Sequence, residues 1–167
     1  MMQLFGFGKG SVELTLDKAN YKFGETIKGR AVLKLKNPVE ANGVRVKFFG
    51  EELVYQSSSS PAGLLAGAMG APGASRRNDD RSSKKVIHKF ETNLDGKKTY
   101  NGGESYDFEI AIPQDVGGKK PAGGMGAALG ALEFMSGRSS SVSWFVQISL
   151  DIPNTIDVKK SVQVNIT

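Results

Sequence analysis

Along most of this chain apolar and polar residues alternate one by one, the pattern of strands with one buried and one solvated face. Val12, Leu14 and Leu16 face one way, with Glu13, Thr15 and Asp17 opposite. Ile27, Ala31, Leu33 and Leu35 follow against Lys28, Arg30, Lys34 and Lys36. Asn37-Pro38 ends that segment, because proline brings no N–H to a ladder. Val44, Val46 and Phe48 begin the next, with a bulge expected at Gly50-Glu51-Glu52 before Val54. Val86, His88, Phe90 and Leu94 lead to a turn at Asp95-Gly96, and Tyr106, Phe108, Ile110 and Ile112 stop at Pro113. Val142, Trp144, Val146, Ile148, Leu150 and Ile152 form the longest run, and Val158, Val162, Val164 and Ile166 close the chain. Seven or more short strands without a long helical pattern predict an all-β fold, an immunoglobulin-like antiparallel β-sandwich.

Two Gly/Ala-rich stretches, residues 57–75 and 117–137, break this alternation. They hold every methionine beyond the start, Met69, Met125 and Met135. Drawn generously as loop insertions 57–85 and 114–141, they leave about 110 residues, close to the roughly 100 of an immunoglobulin-like domain. One domain over 1–167 is therefore expected. The first insert, with four serines, Pro61 and Pro72, predicts irregular backbone. Residues 122–135 place Met125, Leu129 and Leu132 on one face of a short helix. Gly124, Gly126 and Gly130 each cost that helix about 1 kcal/mol, so it is expected to order only against a partner.

Charge is concentrated as well. Of a net +5, residues 76–89 supply +4, through Arg76, Arg77, Arg81, Lys84, Lys85 and Lys89 against Asp79 and Asp80. A nucleic-acid binder spreads basic residues across a face of its fold, so no nucleic acid is expected here. One basic loop fits a solvated charge run, an acidic partner or anionic lipid. Gly6, Gly8 and Gly10 stand where the apolar core of a signal peptide would run, and a cytoplasmic protein is the expectation.

The residue inventory offers little to a catalyst. There is no cysteine, and the one histidine, His88, shares a strand face with Phe90. A zinc site of the usual types and a Ser-His-Asp triad both lack their partners, so no catalytic residue, metal or cofactor is expected. Asp107 and Glu109 share a strand face as a carboxylate pair would, yet alternating surface acids are ordinary on a half-solvated strand. The Gly6–Gly10 run precedes the first strand and lacks phosphate-loop spacing.

Four motifs, in order, resemble the N-terminal domain of the arrestin fold, the broad α-arrestin group most of all. They are Tyr21-x-x-Gly24-Glu25-x-Ile27-x-Gly29; Gly43-Val44-x-Val46-x-Phe48-x-Gly50-Glu51; Tyr106-x-Phe108-x-Ile110-x-Ile112-Pro113; and Val142-x-Trp144-x-Val146-x-Ile148-x-Leu150-Asp151-x-Pro153. The retromer arrestin-like subunit and bacterial sporulation-control proteins are more distant likenesses. The shared residues also have fold-keeping roles: Gly24 and Gly29 suit a turn and a close strand approach, and the prolines end strands. The resemblance makes the two inserts the finger loop and the middle loop, which project from one edge of an arrestin domain and engage receptor or membrane. Arrestins pair two such domains. This sequence carries the motifs of one, and a homodimer is one way to replace the second.

These readings converge on a non-enzymatic adaptor or scaffold that binds a protein partner through two adjacent apolar loops. The expected contacts are Leu64, Leu65, Met69, Met125, Leu129, Leu132, Phe134 and Met135, with Arg76, Arg77, Arg81, Lys84 and Lys85 as basic contacts beside them. Methionine tolerates irregular partners, which suits such a surface. The alternatives are a peripheral membrane module, in which the same loops dip into an anionic surface beside the basic run, and inserts that only pack on their own domain.

Overall fold

The computed structural model describes residues 8–56, 81–115 and 138–167. Ten strands lie in these residues: β1 (Gly10–Leu16), β2 (Asn20–Tyr21), β3 (Thr26–Leu35), β4 (Val39–Ala41), β5 (Gly43–Gln56), β6 (Arg81–Asp95), β7 (Lys98–Tyr100), β8 (Ser105–Ala111), β9 (Arg138–Asp151) and β10 (Val158–Ile166). They form a three-stranded sheet in the order β1-β3-β8 and a five-stranded sheet in the order β2-β10-β9-β5-β6. β4 pairs with β7 apart from these. Every pairing is antiparallel except β2 with β10.

The alternation decides which face of each strand is buried. Val12, Ile27, Ala31, Leu33, Phe108 and Ile110 point inward from the small sheet. Val44, Val46, Phe48, Trp144, Val146, Ile148, Leu150 and Val164 meet them from the large one. This is the interdigitated core of a β-sandwich. Lys28, Arg30, Asp107 and Glu109 occupy the solvent face of the small sheet as cross-strand ion pairs, Arg30 with Asp107 at 2.6 Å and Lys28 with Glu109 at 3.1 Å. The two acids are neutralised one by one, which leaves no shared carboxylate site.

Two glycines are required by close approach rather than by a turn. A Cβ on Gly29 would stand 2.4 Å from the tip of the Phe108 ring, and one on Gly50 would stand 2.7 Å from the Trp144 ring. Each glycine lets a large aromatic residue on the neighbouring strand lie across its backbone. Both are expected positions of the Gly-bearing motifs, now with a physical reason.

β6 departs from the simple alternation. Its register against β5 shifts between Gly50 and Glu51, the expected bulge, and again between Val44 and Arg45. Ile87 and Leu94 are the residues left without a β5 partner, and both pack against the core. Val86 and Phe90, expected to face inward, are instead 54% and 42% exposed. A bulge adds one residue to one strand only, so the inward face changes parity on passing it, which turns Val86 outward. Phe90 stays on the inward face opposite Phe48 and is exposed because β6 is the edge strand.

At the start of β5 a polar node ties the β6–β7 turn to the strand after it. Lys98 Nζ sits 2.8 Å from Asp95 Oδ2 and 2.9 Å from Glu104 Oε2. The Tyr106 hydroxyl lies 2.9 Å and 2.8 Å from the same two oxygens. The Lys98 ammonium first, then Tyr106 and the Gly96 N–H, hold the Asp95 carboxyl below its ordinary range. Lys98 first, then the Asn101 N–H, does the same for Glu104. Carboxyls depressed in the fold add stability above their unfolded values, and it is lost as pH falls through the lower folded ones. We expect the melting temperature to fall between about pH 5 and pH 3, and to fall less steeply in Lys98→Met. Circular dichroism melts at several pH values measure both slopes; identical slopes would remove the node from the acid response.

Candidate functional site

β5, β6 and β9 are longer than the sandwich needs. β10 pairs with β9 only as far as Trp144, and past that point residues 138–143 continue with residues 51–56 and 81–86 as a three-stranded ribbon. Six residues at about 3.3 Å each make it roughly 20 Å long. Residues 81–85 and 138–141, expected in loops, are therefore strand. Their serines and lysines carry little β signal, and it is the ladder to Glu52–Gln56 that holds them extended.

At the ribbon's tip Gln56 pairs with Arg81 on one side and Arg138 on the other. Gln56 and Arg81 bound the first insert, and Arg138 is where the second returns. The second departs after Ile112 and Gln114, which lie beside Gly24. Phe23 in turn meets Trp144 edge to face, with centroids 6.2 Å apart, at the ribbon's base. Three of the four roots of the two inserts are thus strand neighbours at the ribbon's tip, and the fourth lies near its base.

Of the expected contact residues, Leu64, Leu65, Met69, Arg76, Arg77, Met125, Leu129, Leu132, Phe134 and Met135 lie outside the described residues, as does the expected helix at 122–135. Arg81, Lys84 and Lys85 are in β6, and the two lysines are exposed. The ribbon adds residues that composition did not mark. Tyr55 and Val86 on one face and Val142 on the other are each about half exposed, at 50%, 54% and 45%. With Phe90 they make up four of the five large hydrophobic residues exposed among the described ones. Register places Tyr55 and Val86 on the face of Phe49 and Phe145, whose rings stack at 5.3 Å beneath Lys47. Apolar residues clustered this way on a surface mark contact sites. The sequence signals Val142, which continues the apolar stripe of Trp144 past the last position the core can use, whereas Tyr55 lies on the opposite face of β5 and has no such signal.

At the ribbon's base the Trp144 ring stacks on Phe48 at 5.3 Å, and His88 completes the cluster 5.8 Å from Phe48. The buried His88 Nε2 has no hydrogen-bond partner among the described residues. His88 is thus a packed ring in an aromatic cluster, as its place in the strand pattern suggested. No group of three or more metal-ligating side chains is gathered among the described residues.

The family description for the N-terminal domain of arrestin (or S-antigen) matches residues 11–167. The chain belongs to the arrestin N-terminal domain family. The sporulation control protein of Bacillus subtilis, a solved structure, is similar in fold, with a TM-score of 0.55 at 17% identity. That similarity covers 96% of this arrestin domain and 50% of the other chain, so the domain spans about half the length of the protein it matches. Against curated protein sequences this arrestin domain has no match. No helix among the described residues is long and apolar enough to cross a membrane.

Proposed function

We propose that this arrestin domain is a non-enzymatic adaptor that captures a protein partner with the two inserts rooted on its ribbon. One observation carries this reading: Gln56 is paired with both Arg81 and Arg138, so both ends of the first insert and the returning end of the second meet on adjacent backbone. Leu64, Leu65, Met69, Met125, Leu129, Leu132, Phe134 and Met135 then supply one adaptable apolar surface. Tyr55, Val86 and Val142 extend it onto rigid strands, and Arg76, Arg77, Arg81, Lys84 and Lys85 give it a positive rim that favours acidic partners.

The test replaces those eight apolar insert residues with serine, which keeps chain length and charge. We expect a melting temperature within a few degrees of the parent and loss of the protein crosslinks that the parent forms in native extract, read by mass spectrometry. Unchanged crosslinks would remove the inserts from the contact. A large drop in stability would mean that they pack on their own domain, and flotation of the parent with anionic vesicles but no crosslinked protein would make the partner a membrane.

A further inference from the structure

The five-stranded sheet ends at β6. In an antiparallel pair, alternate residues turn their N–H and C=O toward one neighbour and the rest turn theirs away. About half of the β6 backbone groups therefore point away from β5, and no strand among the described residues takes them. The bulge at Ile87 interrupts this edge, because the extra residue breaks the ladder and bends the strand. What remains beyond it is an unbroken run, residues 81–86, paired one to one with residues 56–51. The run lies wholly on the ribbon, past the small sheet and past the end of β10.

We propose that the outer edge of residues 81–86 is a strand-addition site for an extended acidic segment of a protein partner. Charge selects this occupant. The run Arg81-Ser82-Ser83-Lys84-Lys85-Val86 holds three cations and no acid. Lys84 lies opposite Leu53 and Lys85 opposite Glu52, so the two exposed ammonium groups stand on opposite faces of the sheet. An added strand meets a cation on each face, and two consecutive acidic residues, which also point to opposite faces, match both. Val86, exposed beside Lys84 on the Tyr55 face, offers an apolar neighbour to one further side chain.

The same charges turn away a second copy of this chain. Two β6 edges paired antiparallel in the register centred on Lys84-Lys85 would set each lysine opposite a lysine, and like charges directly opposite destabilise a sheet. Lysines on an edge strand guard against self-pairing in this way, while an acidic strand passes the guard. The site gives the partner a backbone ladder for affinity and a charge pair for selectivity. It does not depend on the inserts, so the eight serine substitutions leave it intact and the two proposals fail separately.

The probe is a capped peptide of three Val-Thr-Glu-Glu repeats, titrated into the full isotope-labelled chain. We expect saturable amide shifts centred on residues 82–86, with slowed hydrogen exchange at alternate amides there. Lys84→Glu with Lys85→Glu should weaken binding at least tenfold and open the edge to the corresponding Val-Thr-Lys-Lys peptide. N-methylation of alternate peptide amides on one side should abolish binding, and on the other leave it unchanged. Equal binding by both methylated peptides would reduce the contact to charge alone and overturn the proposal. So would shifts centred elsewhere, absence of binding at millimolar peptide, or alternate amides of 82–86 already protected in the free protein, by its own insert or by a second copy.

Discussion

Trp144→Ala is expected to remove about 3–5 kcal/mol of stability, the usual range for truncating a buried aromatic residue. The ring is 4% exposed and fills the end of the sandwich where the ribbon leaves it. It stacks on Phe48 with an interplanar angle of 11°, takes the edge of Phe23 at 6.2 Å, and has His88 at 6.2 Å on another side. These neighbours come from two strands of the large sheet and from the segment before β3, so they cannot close over the space together. Against the roughly 5–15 kcal/mol of a typical domain, the loss is a large share and should lower the melting temperature by about 10 °C or more. Urea unfolding followed by circular dichroism gives the value directly. A variant within about 1 kcal/mol of the parent would mean that the ring is not a structural centre of this fold.

Gly50→Ala is the second large effect, and its sign is informative. Alanine in place of glycine inside a strand ordinarily stabilises, by roughly 0.5–1 kcal/mol of chain entropy. Here the new Cβ would stand 2.7 Å, 2.9 Å and 3.0 Å from three carbons of the Trp144 ring, closer than carbon atoms approach. The ring is held by Phe48, Phe23 and His88 and has nowhere to move, so overpacking should cost about 1–3 kcal/mol. In a Trp144→Ala background the methyl enters vacated space, and the same substitution should be neutral or stabilising. A double-mutant cycle therefore predicts strong coupling between positions 50 and 144. Additive effects of the two substitutions would refute the steric account.

How much of this was legible beforehand depends on how local the signal is. The burial of Val12, Ile27, Leu33, Val146, Ile148 and Leu150 follows from period-two alternation, because a strand's side chains must alternate wherever the strand pairs. The place of the bulge, at Gly50-Glu51, was expected, but the extra residue is Ile87 on the partner strand rather than one of β5. Leu94 was placed in the apolar stripe and packs on the core, but the fate of Ile87 was not legible: it reaches the core only because the register against β5 skips it. The arrestin-like order of motifs pointed to the right family, and the family match over residues 11–167 shows it.

The candidate site divides along the same line. Composition alone singles out the Gly/Ala/Met inserts and the basic run 76–89, because a β-sandwich has no packing need for either. The expectation that the chain works by binding comes from the same inventory, one histidine and no cysteine in the chain. Only the tertiary structure makes strand of residues 81–85 and 138–141, since serine and lysine hold an extended conformation there through ladders supplied by β5. Only the register brings Gln56 beside both Arg81 and Arg138, across sequence separations that no local pattern encodes. Alternation says which face of a strand is buried; pairing decides which strands meet, where they outrun the core, and which strand stands at the sheet's edge among the described residues.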